Sequence, residues 1–148
     1  MMKTSKSKRL FTTETQRTQR EFQKMYLDAD LTRDIIGAAI EVHRELGPGL
    51  LESAYQTCLA HELGLRKIAF EREKPIHIEY KNYQLDCGYQ LDFVVDNKVI
   101  VELKSVEVIL PVHEAQILTY LKLTKCQVGL LINFNVAVLI KGVRRFVL

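Results

Sequence analysis

An α/β fold, in the α+β sense of helices packed on a mixed sheet, is what this sequence predicts. Three observations lead there. Apolar residues recur at helical spacing over residues 31–63 and again over 112–123, with several strand-like runs between and after them. The runs Phe93-Val94-Val95 and Val99-Ile100-Val101 are apolar at consecutive positions, as in strands covered on both faces. The order helix, helix, several strands, helix, strand suits a sheet with helices laid against it.

The elements follow in chain order. Residues 1–25 hold Lys3, Lys6, Lys8, Arg9, Arg17, Arg20 and Lys24 against only Glu14 and Glu21, with few apolar anchors. Residues 1–28 are therefore expected to be a basic, mobile N-terminal tail, with one helical turn near Phe22 to Leu27, and residues 29–148 to be the folded domain. A first helix is expected from Leu31 to Leu46, capped by Asp30 or Thr32, with Ile35, Ile36, Ala39, Ile40 and Val42 as its apolar face. Gly47-Pro48-Gly49 ends it, because Pro cannot continue the backbone ladder. A second helix is expected from Leu50 to Leu63, with Leu51, Tyr55, Cys58, Leu59 and Leu63 inward. Strands are expected at Ile68 to Arg72 and Ile76 to Tyr80, paired across Lys74-Pro75. Further strands are expected at Gln84 to Cys87, Tyr89 to Val95 and Val99 to Val106. A third helix follows Pro111, from Val112 to Leu123. Val128 to Asn133 reads as a buried strand, and Val136 to Ile140 and Arg144 to Val147 as short edge strands.

Composition narrows the classes. The chain has 148 residues, 47% hydrophobic and 26% charged, enough for one domain with a core. No apolar run approaches the roughly 20 residues that span a bilayer, and the N-terminus lacks an apolar secretory segment. Cys58, Cys87 and Cys126 form neither a zinc pattern nor a disulfide framework. The expected setting is a reducing cytoplasm, without a membrane partner. The net charge of +3 is held by the tail, so the rest of the chain carries −2. A strongly basic domain surface is not implied, and attraction to nucleic acid must come from the tail or a local patch. The patterns HExxH, P-loop, GxGxxG and GxSxG are absent.

Charge interrupts the apolar strands at Asp92 and at Glu102-Leu103-Lys104. Whether the two acids meet depends on register. A two-residue loop at Asp96-Asn97 pairs Val95 with Lys98 and sends Asp92 and Glu102 to opposite faces. A three-residue loop, or one bulge, pairs Val95 with Val99 and sets Asp92 beside Glu102. We expect the second register. Lys104 lies two residues beyond Glu102, on the same face. Carboxylates beside a lysine suit metal-assisted phosphodiester cleavage: hard oxygens hold Mg²⁺ or Mn²⁺, and the ammonium offsets developing charge. Asp92, Glu102 and the Leu103 carbonyl are the expected ligands.

Plainer readings stand beside this one. Asp92 and Glu102 also suit edge charges paired with lysines. Glu52, three residues after a Gly49 cap, also suits the positive end of a helix dipole. Tyr55, on the face of Glu52, also suits a core position with a satisfied hydroxyl. Gln116 and Tyr120, one turn apart, also suit a structural pair.

Taken together, these pieces resemble a known family. Val42-His43-Arg44-Glu45-Leu46-Gly47-Pro48-Gly49-Leu50-Leu51-Glu52-Ser53-Ala54-Tyr55 resembles the motif of the small GxxExxY proteins, in the RecB-like branch of the PD-(D/E)XK nuclease-like superfamily. Asp92 with Glu102-Leu103-Lys104 is similar to that superfamily's D…ExK core, although Gln90-Leu91-Asp92 lacks the preceding Pro. Gln116-Ile117-Leu118-Thr119-Tyr120 is similar to its QxxxY helix, and Gly129-Leu130-Leu131-Ile132-Asn133-Phe134 to the closing strand. The resemblance covers residues 31–148. It implies a restriction-endonuclease-like core, a central mixed sheet flanked by helices. It implies Glu52, Asp92 and Glu102 at the metal, Lys104 as the catalytic lysine, and Tyr55, Gln116 and Tyr120 as supports or nucleic-acid contacts.

The expected function is therefore hydrolysis of DNA by metal-activated water. The alternative is a catalytically silent module of the same fold that binds nucleic acid or a partner. A third reading is a toxin-like or defence accessory protein dependent on a partner. With little room for a recognition domain, specificity is expected from a homodimer or a protein partner.

Overall fold

The structure, a computed structural model, describes residues 2–85 and 88–148, and the side chains from residue 13 onward within that span. Cys87, and the side chains of Lys3, Lys6, Lys8 and Arg9, lie outside the described residues. The elements are α1 (Met2–Tyr26), α2 (Ala29–Leu46), α3 (Glu52–Leu65), β1 (Phe70–Pro75), β2 (Ile78–Tyr80), β3 (Tyr83–Leu85), β4 (Gln90–Val95), β5 (Val99–Lys104), α4 (Pro111–Thr124), β6 (Val128–Asn133) and β7 (Val143–Val147). A five-stranded sheet runs β1-β4-β5-β6-β7, and β2-β3 form a separate hairpin. Only β5 and β6 are parallel, joined by the α4 crossover; the other neighbours are antiparallel. The expected mixed sheet flanked by helices is thus the observed architecture.

Two cores cover the sheet. Ile35, Ala38, Ala39 and Val42 of α2 and Tyr55, Leu59 and Leu63 of α3 pack on Phe93, Val101, Leu103, Leu130 and Ile132. Tyr120 and Leu121 of α4 pack on Val94 and Ile100 from the other side. Gly129 is where α4 comes closest: an added Cβ would stand 2.9 Å from Ile117. Burial on both faces explains the unbroken apolar runs in β4, β5 and β6.

Several boundaries differ from expectation, each for a local reason. Residues 2–26 form one helix, where a single turn near Phe22 to Leu27 is expected. Its described side chains through Tyr26 are exposed, so the helix rests on good formers (Glu, Gln, Lys, Arg) and on pairs such as Arg17–Glu21 at 3.3 Å, not on a buried stripe. The helix α2 begins at Ala29 behind Asp28, which takes left-handed backbone (φ 51). The helix α3 begins at Glu52 behind Leu51, two residues later than expected, so Glu52 opens the helix instead of standing three residues from a Gly49 cap. Strands β1 and β2 do not pair: β1 joins β4 and β2 joins β3. Pro75 ends β1, and the hairpin turn falls at Lys81-Asn82, both left-handed (φ 48 and 67). No strand forms over 136–140; the chain makes a 3₁₀ turn at Leu139–Gly142. There an added Cβ on Gly142 would lie 2.2 Å from the Asn133 carbonyl oxygen, a space only glycine fits. Among the described residues no helix is long and apolar enough to cross a membrane.

Candidate active site

The hairpin between β4 and β5 adopts the register that sets the two acids side by side: Val95 pairs with Val99, Val94 with Ile100 and Phe93 with Val101. Asp96 and Asn97 both take left-handed backbone (φ 51 and 54), and the Lys98 N–H donates to the Val95 carbonyl at 3.0 Å. Two left-handed residues make the turn, and Lys98 is the extra residue that shifts the pairing.

Beyond Phe93 and Val101 the two strands part. Leu91 and Phe93, two residues apart, pack into different cores, so β4 rolls over at Asp92. The β1 residue opposite, Glu73, also leaves regular strand geometry (φ 50). Parting frees two backbone N–H groups, and the acids take them. The Asp92 N–H donates to Glu102 Oε1 at 3.0 Å, and the Leu103 N–H donates to Asp92 Oδ2 at 2.8 Å. Gln56, one turn into α3, donates to Asp92 Oδ1 at 3.5 Å.

Electrostatics at this parting are strained in one direction. Glu102 is only 6% exposed, on the third of five strands. Burial first, then the Asp92 charge, pushes its carboxyl from 4.5 up to about 8. Asp92 is also raised, mainly by burial, against the pull of the Leu103 N–H and Lys104. Glu52 at the mouth is raised by desolvation, with Lys104 opposing and Asp92 adding. Lys104 thus acts favourably on all three acids. Buried acids that resist ionisation beside one another are a store of binding energy for a cation.

The acids form a close pair with one outlier. Asp92 and Glu102 meet, whereas Glu52 stands at the start of α3 and reaches them through charge alone. Among the described residues no group of three or more His, Cys, Asp or Glu side chains is poised to hold a metal. The pair itself fits a hard divalent cation in donor chemistry: one buried and one half-buried carboxylate, whose mutual repulsion a cation would relieve.

On the α4 side, the Gln116 amide donates to the Tyr120 hydroxyl at 2.7 Å. That bond occupies a lone pair of the hydroxyl and leaves its own proton to donate elsewhere. Burial, then the Glu102 charge, raises Tyr120, so the proton is held firmly. Tyr55 does not join the acids. It is fully buried and stacks on Phe134 at 4.5 Å between centroids. Its hydroxyl donates to the Gly47 carbonyl at 2.6 Å and accepts from the Leu50 N–H at 3.1 Å, pinning the loop that leads into Glu52.

Three further bonds pin the other lip and tie it to the first. Asn133 accepts from the Val106 N–H at 3.1 Å and donates to the Val106 carbonyl at 2.8 Å, and Ser105 Oγ donates to the Leu50 carbonyl at 2.7 Å. Sequence reasoning missed Gln56, Glu73 and the part played by Asn133. Gln56 was signalled by its place four residues after Glu52. Glu73 had no signal, because it depends on β1 pairing with β4.

A family model described as the PD-(D/E)XK nuclease superfamily matches residues 29–146, from α2 into β7, and leaves α1 outside. No curated protein and no solved structure matches the chain.

Proposed function

The chain belongs to the PD-(D/E)XK nuclease superfamily, and from that premise we propose that it hydrolyses phosphodiester bonds of DNA. Its GxxExxY-like segment and its Gln116/Tyr120 pair favour the RecB-like branch. Asp92 and Glu102, with the Leu103 carbonyl and Glu52 at the mouth, would hold Mg²⁺ or Mn²⁺. A bound cation of this kind supplies polarisation of the scissile phosphate and makes a water acidic enough to attack it.

The remaining work belongs to the chain. Glu102 gives up its proton before it can ligate, which its raised pKa makes a neutral-to-alkaline event. Lys104 directs its ammonium at the attacking water and at the negative charge that builds on the phosphoryl oxygens. Tyr120, oriented by Gln116, donates its hydroxyl proton to a backbone phosphate oxygen. Tyr55 fixes one lip and Asn133 the other, and the Ser105 hydroxyl ties the two together at the Leu50 carbonyl.

The observation that carries this reading is the pair of bonds across the parted strands, from the Asp92 N–H to Glu102 and from the Leu103 N–H to Asp92, which keeps a buried and a half-buried acid together beside a lysine. Replacing Lys104 by Ala should abolish Mg²⁺-dependent cleavage of DNA while leaving the fold intact by circular dichroism. Undiminished cleavage by the purified variant would remove the mechanism. A silent binding module of the same fold is the second reading, favoured by the outlying position of Glu52. It predicts that wild-type protein binds DNA with no turnover at any Mg²⁺ or Mn²⁺ concentration.

A further inference from the structure

A groove of about 580 Å³ opens along α4, lined by Ile78, Tyr89, Val112, His113, Gln116 and Tyr120 among others, and Tyr120 is near enough to the acid pair to feel its charge. Gln116 and Tyr120 are therefore shared between groove and site. The lining contains no carboxylate, lysine or arginine, and it is mostly apolar. Such a surface suits a flat aromatic ligand and not a phosphate. Its one ionisable ring other than the tyrosines, His113, spends Nδ1 on accepting the Leu110 N–H at 3.0 Å, so the neutral ring carries its proton on Nε2.

The aromatic surface continues outward from the groove. Ile78 and Tyr80 are two residues apart on β2, and Tyr80 lies directly opposite Tyr83, so all three share one face of the hairpin. Ile78 lines the groove, which makes Tyr80 and Tyr83 its extension. Tyr89, Tyr80 and Tyr83 are 46%, 62% and 69% exposed, unusually open for large rings. At the hairpin tip the Lys81 ammonium stands 5.4 Å from the Tyr80 ring centroid. Neutral stacking faces beside a catalytic pair, with a cation at the far end, match a strand whose bases are unpaired and whose backbone is anionic. A duplex keeps its base faces stacked inside and cannot offer them.

Resting on the hydrolase reading above, we infer that the groove between α4 and the β2–β3 hairpin is a base-stacking track for single-stranded nucleic acid, with Tyr89 as its principal platform. The substrate class is then a single strand, or a single-stranded end or flap, threaded from the hairpin to the acid pair.

The test uses the full chain carrying Lys104→Ala, so that nothing is cut, in metal-free buffer. Anisotropy titrations compare a labelled oligothymidylate of about a dozen nucleotides with a duplex of equal length. Adding Tyr89→Ala should weaken single-strand binding roughly 5- to 150-fold, the range for loss of one stacked base. Tyr89→Phe should retain wild-type affinity, since the ring does the stacking, and duplex binding should not move. Equal single-strand affinity with and without Tyr89→Ala overturns the inference. So does an equal loss on duplex, or a Phe variant as weak as the Ala variant. A change of oligomeric mass in Tyr89→Ala with unchanged oligonucleotide affinity would assign the groove to a second copy instead. The two levels separate cleanly. Tyr89-dependent single-strand binding without wild-type cleavage sinks the reaction and keeps the track; cleavage indifferent to Tyr89→Ala keeps the reaction and sinks the track.

Discussion

Replacing Glu102 by Gln should make the metal-free protein more stable while destroying cleavage. The carboxyl titrates near 4.5 in an unfolded chain and at about 8 in the fold. Below pH 4.5 it carries a proton in both states, and the fold loses nothing. As pH rises from there, the unfolded chain releases the proton and the folded one keeps it. Folding stability therefore falls by about 1.4 kcal/mol per pH unit. Above about 8 both states are ionised, and the loss levels off at roughly 5 kcal/mol for a gap of this width. Because Glu102 and Asp92 titrate together, that plateau belongs to the pair.

Gln cannot ionise, yet its amide oxygen can still accept the Asp92 N–H. Urea denaturation with EDTA, from about pH 5 to about pH 9, should show the two proteins nearly equal at the acid end. The variant should then lead by several kcal/mol at the alkaline end. Saturating Mg²⁺ should narrow the gap by stabilising only the wild type, as a ligand of the folded state does. Parallel stability curves across the pH range would refute the argument, because they would mean that Glu102 is solvated like any surface acid.

Four further outcomes follow from the same geometry. Mg²⁺ affinity, measured by calorimetry, should climb up to about tenfold per pH unit through neutrality and flatten near the Glu102 pKa of about 8, since the proton competes with the cation. Tyr55→Phe should cost about 0.5–1.5 kcal/mol in urea melts, because the Leu50 N–H and Gly47 carbonyl lose their shared partner. Gly142→Ala should destabilise by at least about 1–3 kcal/mol in the same assay, as its methyl would press on the Asn133 carbonyl. Deleting residues 1–25 removes seven basic side chains. It should flatten the salt dependence of DNA binding, by up to about 0.9 in log–log slope for each phosphate that the tail neutralises.

How much of this was legible in the sequence depends on what kind of force shaped each part. Helices α2, α3 and α4 and strand β6 are held by buried stripes, and a buried stripe is written in the order of apolar residues. The helix α1 buries none of its described side chains as far as Tyr26, so a reading based on stripes had nothing to follow. Pairing of β1 with β4 is long-range, and the local Lys74-Pro75 step looked like a turn because proline so often marks one.

The site shows the sharpest boundary between what order of residues can and cannot decide. Alternation normally selects a strand register, because a slip by one residue exposes the core face. In β4 and β5 both faces are covered, so Val94, Val95, Val99 and Ile100 are buried whichever way they point. A slip there would cost little in burial, and composition alone left two registers open. The choice falls instead to Lys98, the one residue beyond the Asp96-Asn97 turn. It brings Asp92 to Glu102, and the parted strands then supply each acid with a backbone N–H. Shortening the loop by deleting Lys98 should therefore keep the sheet and dissolve the acid pair. Glu102 would return toward an ordinary carboxylate, and the pH-dependent loss of stability described above would disappear with it. A variant that folds, lacks Lys98 and still shows that loss would place the strain somewhere other than between these two strands.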